Sequence, residues 1–245
     1  GLPRCRHWEL SMADLEIIAI HDIGEVRPGD DLAELIAAAE DAELRDGDCL
    51  VITQKVVSKA EGRLVDIDPD DPLSHKPLVE QESVRILRRR GELIISQTSH
   101  GFVCANAGID LSNVERGQAA LLPVDSDRSA RGIRDRLRAR HGVDVAIIIS
   151  DTFGRPWRRG VTDVAIGCAG IGAVADLRGT TDALGRELMV TEVAVVDEIA
   201  SAADLVMGKA KGVAVAIVRG LEPSWFGRGS VVDEIVRDPA DDLFR

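Results

Sequence analysis

A mixed α/β fold of the α+β kind is expected from two features of the chain. Short apolar runs of strand length recur from end to end, over residues 15–20, 49–53, 143–149 and 213–219. Longer capped stretches with helical spacing lie between them, but strands and helices do not alternate as in a doubly wound parallel sheet. There is no repeat of solenoid period. With 245 residues the chain can bury a sizeable core, as one large domain or two lobes.

Residues 15–20 predict the first strand. Pro28-Gly29-Asp30-Asp31 makes a turn, and Asp30 or Asp31 can cap a helix over 32–44 by accepting the free N–H groups of its first turn. Gly47-Asp48 then turns the chain into a buried strand, 49–53. Residues 54–65 mix Val-Val, two lysines and Glu61-Gly62 and suit either a phosphate-contacting segment or a charged surface hairpin. The Asp- and Pro-rich stretch 66–77 predicts an exposed loop. A basic amphipathic helix is expected over 78–90, and strands over 93–98, 102–105 and 121–124. Asp125 or Ser126 should cap a helix that runs to about His141 and stops at Gly142. Strand 143–149 is followed by a polar motif, then by strand 164–169, helix 192–207 and strand 213–219. Residues 1–13 show no periodicity and are expected to be a leader or extension, with Met12 near a natural start and 14–245 the functional domain.

The net charge of −12 argues against nucleic-acid binding. No apolar run is long enough to cross a bilayer and no secretory signal is apparent, so a cytoplasmic protein without membrane contact is expected. Cys5, Cys49, Cys104 and Cys168 are too widely spaced for a zinc site, and three lie in apolar surroundings that suit buried free thiols. Only five lysines occur, and four cluster as Lys55/Lys59 and Lys209/Lys211.

Four segments could carry chemistry. Ser150-Asp151-Thr152-Phe153-Gly154-Arg155-Pro156-Trp157-Arg158-Arg159-Gly160 follows an apolar strand. Its carboxylate and hydroxyl could hold a hard cation, and its arginines anionic oxygens; a turn with a capping Asp and solvated arginines is the alternative. In 106–113, Gly108 frees the backbone, so that Asp110 could meet a divalent ion and Asn113 a base or ribose edge; an Asx-turn network would also explain these residues. Gly208-Lys209-Ala210-Lys211-Gly212 suits a phosphate-cradling loop or a solvated helix end. Lys59, within Ser58-Lys59-Ala60-Glu61-Gly62-Arg63, could reach a phosphate. No Walker-type P-loop or Gly-x-Ser-x-Gly elbow is present, and Gly167-Cys168-Ala169-Gly170-Ile171-Gly172 has the wrong glycine order for a dinucleotide fingerprint, which favours close packing.

Taken together, the segments resemble one family. Lys59-Ala60-Glu61-Gly62-Arg63, the run 106–113, Asp151-Thr152-x-Gly154-Arg155-x-x-Arg158-x-Gly160 and Val218-Arg219-Gly220-Leu221 carry the likeness. So do Arg27-Pro28-Gly29-Asp30-Asp31-Leu32, and Thr191-Glu192 with Asp197-Glu198-Ile199-Ala200. In collinear order over 15–221, they resemble the coenzyme F-420-0:L-glutamate ligases, the gamma-glutamyl ligases of deazaflavin coenzyme biosynthesis.

The resemblance implies a GTP-dependent ligase that joins L-glutamate to coenzyme F-420-0 and extends a gamma-linked tail. It implies two divalent cations, manganese or magnesium, with a potassium ion assisting, and two lobes interlocked across a homodimer. Asp110 and Asp151 match the family's metal carboxylates and Thr152 a second-metal contact. Asn113, Lys59, Thr53-Gln54 and the loop Met207-Gly208-Lys209-Ala210-Lys211-Gly212 match GTP contacts. His21-Asp22-Ile23-Gly24 aligns with another nucleotide segment, although the prolines common around it are missing. Arg155 and Arg158, with Arg159, are candidates on chemical grounds for stabilising transferred phosphate or binding carboxylates, since a planar guanidinium fork matches both. Some family members carry a C-terminal flavin domain for which the sequence to Arg245 leaves no room; a single-module form or an isolated ligase part is expected. A non-catalytic metal-GTP binding protein and a ligase for another phosphorylated acceptor are the alternatives.

Overall fold

The computed structural model describes residues 15–112 and 114–242. The expected leader and the Asn113 contact therefore lie outside the described residues. The first half runs β1 (Glu16–Ile20), α1 (Leu32–Ala38), β2 (Cys49–Thr53), α2 (Gln54–Ala60), β3 (Leu64–Asp66), α3 (Lys76–Gln81), β4 (Ser83–Arg90), β5 (Leu93–Thr98), β6 (Val103–Ala105) and β7 (Gln118–Ala120). The second runs α4 (Ser126–His141), β8 (Ala146–Arg155), β9 (Arg158–Ala169), β10 (Ala175–Asp176), β11 (Glu192–Val193), α5 (Val195–Met207), β12 (Val215–Arg219) and α6 (Val231–Glu234). The class is mixed α/β, with several sheets.

The main sheet has five strands in the order β1-β12-β2-β8-β9. Only β2 and β8 are parallel; the other neighbours are antiparallel. The unbroken apolar runs of β2 and β8 sit at the centre, where Leu50, Ile52, Ile147, Ile148 and Ile149 are fully buried, as strands covered on both faces require. Each such side chain contributes about 1.5–3 kcal/mol of apolar burial. Helix α4 packs on β8 and β9 with α1 against it, and α5 packs on β9, β12 and β1. A meander, β4-β5-β6, stands apart on its own small cluster of Val79, Ile94 and Ala107. The pairs β3-β7 and β10-β11 complete the fold.

Caps fix where the helices start. The Asp31 carboxylate accepts from the Ala33 N–H, and that of Asp125 from the Arg128 N–H at 2.8 Å; such caps are worth about 1 kcal/mol each. Gly142 closes α4 in the left-handed conformation (φ 70°). The glycines of 167–172 serve packing: a Cβ on Gly167 would lie 2.4 Å from the Ser126 carbonyl carbon, and one on Gly170 2.5 Å from Arg134 Nε.

Several elements differ from the sequence expectation. The basic segment 78–90 is not one helix. Helix α3 ends at Gln81, and Ser83–Arg90 is a strand that pairs with β5 through a turn at Gly91 (φ 59°). Hairpin pairing outweighs the modest helix preference of its arginines. Helix α1 stops at Ala38 rather than Leu44, and the Asp41 carboxylate beyond it accepts from the His21 N–H at 3.0 Å. Residues 54–60 form a helix, neither loop nor hairpin. The expected strand 121–124 lies earlier, at Gln118–Ala120, since Pro123 has no N–H to give a ladder. Segment 192–207 divides into β11 and α5. Cys49, Cys104 and Cys168 are buried free thiols, as expected.

Candidate active site

In the parallel pair of β2 and β8, Thr53 stands beside Ser150. Chain leaving β2 into α2 therefore emerges next to Asp151 and Thr152, at the carboxyl ends where open α/β sheets place their ligands. The polar motif itself is not a turn after a strand. Strand β8 continues through it to Arg155 and folds back as β9, with Pro156-Trp157 between them. This register sets Thr152 opposite Asp163.

Asp163 is almost fully buried. Its Oδ2 accepts from Ser150 Oγ at 3.0 Å, and its Oδ1 accepts from Thr152 Oγ1 at 2.6 Å and from Lys209 Nζ at 2.7 Å. Lys209 Nζ also contacts Thr152 Oγ1 and lies 3.5 Å from Asp204. Burial works against this ammonium, but the hydrogen bond and attraction of Asp163, then Asp204, outweigh it and raise the Lys209 pKa above the ordinary lysine value. Lys209 stands on a loop between Gly208 (φ 58°) and Gly212 (φ 72°), joining α5 to β12.

Asp110 approaches from the segment between β6 and β7, fixed by a backbone bridge to Ala120. Its Oδ2 lies 2.9 Å from Lys55 Nζ, and its Oδ1 accepts from the Ser112 N–H at 2.7 Å. Gly108 permits this path, because a Cβ there would meet the Leu122 side chain at 2.8 Å. The Asp110–Ser112 bond is itself the Asx turn of the alternative reading, and Asn106 ties the loop to its neighbours, its Oδ1 accepting from Lys76 Nζ at 3.1 Å and the Ile94 N–H at 3.3 Å. Asp110 thus holds the loop through one oxygen and meets Lys55 through the other.

Asp151 is partly exposed at its surface yet densely surrounded. Burial, with added repulsion from Asp110 and Asp163, pushes its carboxyl up to about 7, against smaller opposing effects from the Thr152 N–H and Lys209. Its charge also acts, after burial, to push the Cys104 thiol up to about 12, so that thiol stays protonated. Asp110, Asp151, Thr152 and Asp163 make a hard-oxygen donor set of the kind that divalent cations take. Among the described residues no three carboxylate, imidazole or thiol groups are already arranged around one point for a metal. Asp110 and Asp163 are each held by an ammonium instead, which marks both as places where positive charge is stabilised.

A cleft opens beside this cluster. It is lined by Ile23, Gly24, Thr53, Lys59, Thr152, Met207, Gly208, Lys209 and Gly212, all singled out from the sequence. Other residues singled out from the sequence do not line this cleft. His21 and Asp22 are exposed, Asp22 in the left-handed region (φ 56°), and neither lines the cleft. Gln54 is wholly buried, and its Oε1 accepts from Ser58 Oγ at 2.8 Å. Ala210 and Lys211 face away, with Lys211 Nζ donating to the Val206 carbonyl at 3.3 Å. Arg155 and Arg158 sit exposed at the hairpin tip, where Arg155 Nη2 donates to the Arg159 carbonyl at 3.5 Å. Sequence reasoning missed Asp163 and Asp204 and left Lys55 without a role. The rarity of lysine was a usable signal for Lys55; Asp163 becomes visible only once the motif is drawn as a hairpin.

Comparison with known proteins decides the family. A model described as F420-0:Gamma-glutamyl ligase matches residues 21–220. The chain belongs to the F420-0:gamma-glutamyl ligase family. It is 48% identical over 238 residues to the coenzyme F420:L-glutamate ligase of Methanopyrus kandleri, covering 90% of this chain and 94% of that protein. The protein of the same name from Methanothermobacter thermautotrophicus is 41% identical over 94% of this chain and 99% of its own length. That from Methanocaldococcus jannaschii is 42% identical over 87% and 90%. The span matched to the F420-0:gamma-glutamyl ligases contains every cleft residue named above.

Proposed function

We propose that this protein is a GTP-dependent ligase that forms an amide between coenzyme F-420-0 and L-glutamate and then adds further glutamates through gamma linkages. The observation that carries the reading is the group of three mutually repelling carboxylates, Asp110, Asp151 and Asp163, beside a cleft lined by Lys59, Gly208, Lys209 and Gly212. Family membership and the names of its relatives support the same reaction.

Amide formation from a carboxylate needs an activated oxygen. Transfer of the GTP γ-phosphoryl group to the acceptor carboxylate gives an acyl phosphate and GDP. The glutamate amine attacks the acyl carbon, the C–O bond to phosphate breaks, and inorganic phosphate leaves with loss of the amine proton. Asp110, Asp151 and Thr152 would hold Mn2+ or Mg2+, which when bound supplies charge neutralisation for the phosphate oxygens. Lys59 and the loop N–H groups orient the triphosphate, and Ile23 and Met207 give the cleft an apolar wall. Arg155 and Arg158, beyond Thr152 on the hairpin, are suited to the anionic groups of the acceptor.

The reading extends to an interlocked homodimer in the cytoplasm. Exposed Val84, Ile86 and Leu87, set among the arginines of edge strand β4, support association, since exposed apolar side chains on an edge strand are otherwise a liability. No helix among the described residues is long and apolar enough to cross a membrane. Incubation with F-420-0, GTP, glutamate and Mn2+, followed by mass spectrometry, tests the proposal: products heavier by successive glutamyl units are expected. A protein that binds GTP and metal but leaves the acceptor mass unchanged would be the non-catalytic alternative.

A further inference from the structure

Strand β8 sends alternate side chains to opposite faces. Thr152 and its partner Asp163 face the cleft already described. Asp151 and Phe153 point the other way, with Val164 opposite Asp151 in the register. A second cavity, of about 260 Å³, opens on that face, walled by Phe102, Val103, Phe153, Val164 and Val236. The rings of Phe102 and Phe153 meet edge to face with centroids 6.2 Å apart, and His100 stacks on Phe102 at 5.5 Å. Cys104, next in the chain to Val103, lies close enough to Asp151 to feel its charge. The wall at Val236 is fixed in place. Asp127 is almost fully buried and accepts from Ser230 Oγ at 2.8 Å and the Val231 N–H at 3.1 Å, which anchors α6. Val236 just beyond it seats on Gly101, where a Cβ would lie 2.6 Å from Val236 Cγ1.

We propose that this cavity takes the flat heteroaromatic ring of the acceptor, so that nucleotide and acceptor meet the carboxylates from opposite faces of the β8–β9 hairpin. The inference rests on the ligase reading and adds to it a seat for the acceptor ring. Position supports it: Asp151 and Phe153 share a face and stand about 7 Å apart along the strand. Chemistry supports it too. The cavity is lined mainly by apolar groups, two of them among the four phenylalanines of the chain, with Asp197, Arg237 and Asp242 as its charged lining. Asp197 also accepts from the Ala165 N–H at 2.9 Å, which holds it at the wall. Aromatic walls with few polar groups suit a planar ring, which gains from edge and face contacts. The described lining of the nucleotide cleft contains no aromatic side chain. Size agrees, because the volume holds a ring system and leaves the polar chain of the acceptor outside, free to reach Asp151.

The test is a fluorescence titration of the full chain with 8-hydroxy-5-deazariboflavin, which carries the ring and its polyol but neither phosphate nor carboxylate. Wild type should bind this probe and quench it. Phe153→Ala should weaken binding about tenfold, the loss expected when one aromatic wall is removed, and Phe153→Trp should restore it. Val103→Trp, which fills the cavity from a partly exposed position, should abolish binding. In both Phe153→Ala and Val103→Trp the affinity for guanosine β,γ-imidotriphosphate, read by calorimetry, should stay at the wild-type value. Wild-type probe affinity in folded Phe153→Ala and Val103→Trp would overturn the inference and leave the ligase reading intact. So would failure of wild type to bind the probe while it still glutamylates coenzyme F-420-0. No glutamylation of coenzyme F-420-0 by wild type would overturn the ligase reading and this inference with it.

Discussion

Asp151 is the most strongly perturbed carboxylate of the cluster, because burial and two like-charged neighbours all oppose its ionisation. Asp151→Asn keeps its size and most of its hydrogen bonding while removing the charge a cation needs. The variant should fold, bind Mn2+ more weakly and lose at least about a hundredfold in ligation, as expected when several kcal/mol of charge stabilisation disappear. Comparison of melting, Mn2+ affinity and turnover checks this; unchanged turnover would make the residue structural. In excess chelator a second outcome follows from its raised pKa. An acid that ionises near 7 when folded and near 4 when unfolded favours folding fully at low pH and loses that contribution as pH rises through about 7. Melting curves should therefore show Asp151→Asn gaining stability over wild type from pH 4 upward, with the gap levelling off above about 7. A gap that widens toward low pH would contradict the assignment. The sequence singled out Asp110, Asp151 and Thr152 by residue type and motif, and the fold brings Asp110 near enough to repel Asp151. Asp163 was not legible: its value comes from standing opposite Thr152, which only the hairpin register fixes. The burial of Gln54 was not legible for a related reason, since the helix start that turns its side chain inward is set by packing.

Among the elements, the β8–β9 hairpin links the carboxylates to the solvent and to helix α4. Its inner end is held by a close contact at Gly167, where an added Cβ would strike the Ser126 backbone. Gly167→Ala should cost at least about 1–3 kcal/mol, the range for overpacked cores, read as a lower urea midpoint with an unchanged slope. An unaltered midpoint would mean that α4 does not lie against β9 as described. At the outer end, Arg155 and Arg158 are exposed and should touch only the acceptor. Replacing both by Ala should raise the acceptor KM about tenfold, the loss expected for one charge-assisted hydrogen bond, with GTP affinity unchanged. Steady-state kinetics with each substrate varied separates this from a role in phosphoryl transfer, which would lower kcat instead. The elements most legible in the sequence were those with a single physical cause: β2 and α4 lie where an apolar run and an Asp–Gly pair of caps put them. Strand β4 was read as helix because its arginines favour helix locally, and its pairing with β5 is a long-range fact absent from its own residues.

For the whole molecule, the collinear motifs from the first strand to Leu221 were enough to indicate the family, and the matched span 21–220 agrees with them. The division into one five-stranded sheet and a separate three-stranded meander was not legible, because strand order depends on which crossovers pack and not on the strands themselves. The acidic surface is compatible with small anionic substrates only if their charge is met locally, by Lys59, Lys209 and a dication. Nucleotide choice follows at this scale: ATP should support less than about a tenth of the GTP rate if the cleft contacts the guanine edge, a difference of about 1.4 kcal/mol. Equal rates would remove the base preference from the account. The most direct test of the central claim is GDP release measured with acceptor and glutamate withheld in turn. The account predicts one GDP per glutamate joined when both are present, and only background release when either is absent. Rapid GDP release without acceptor, or binding of GTP with no release under any combination, would contradict it.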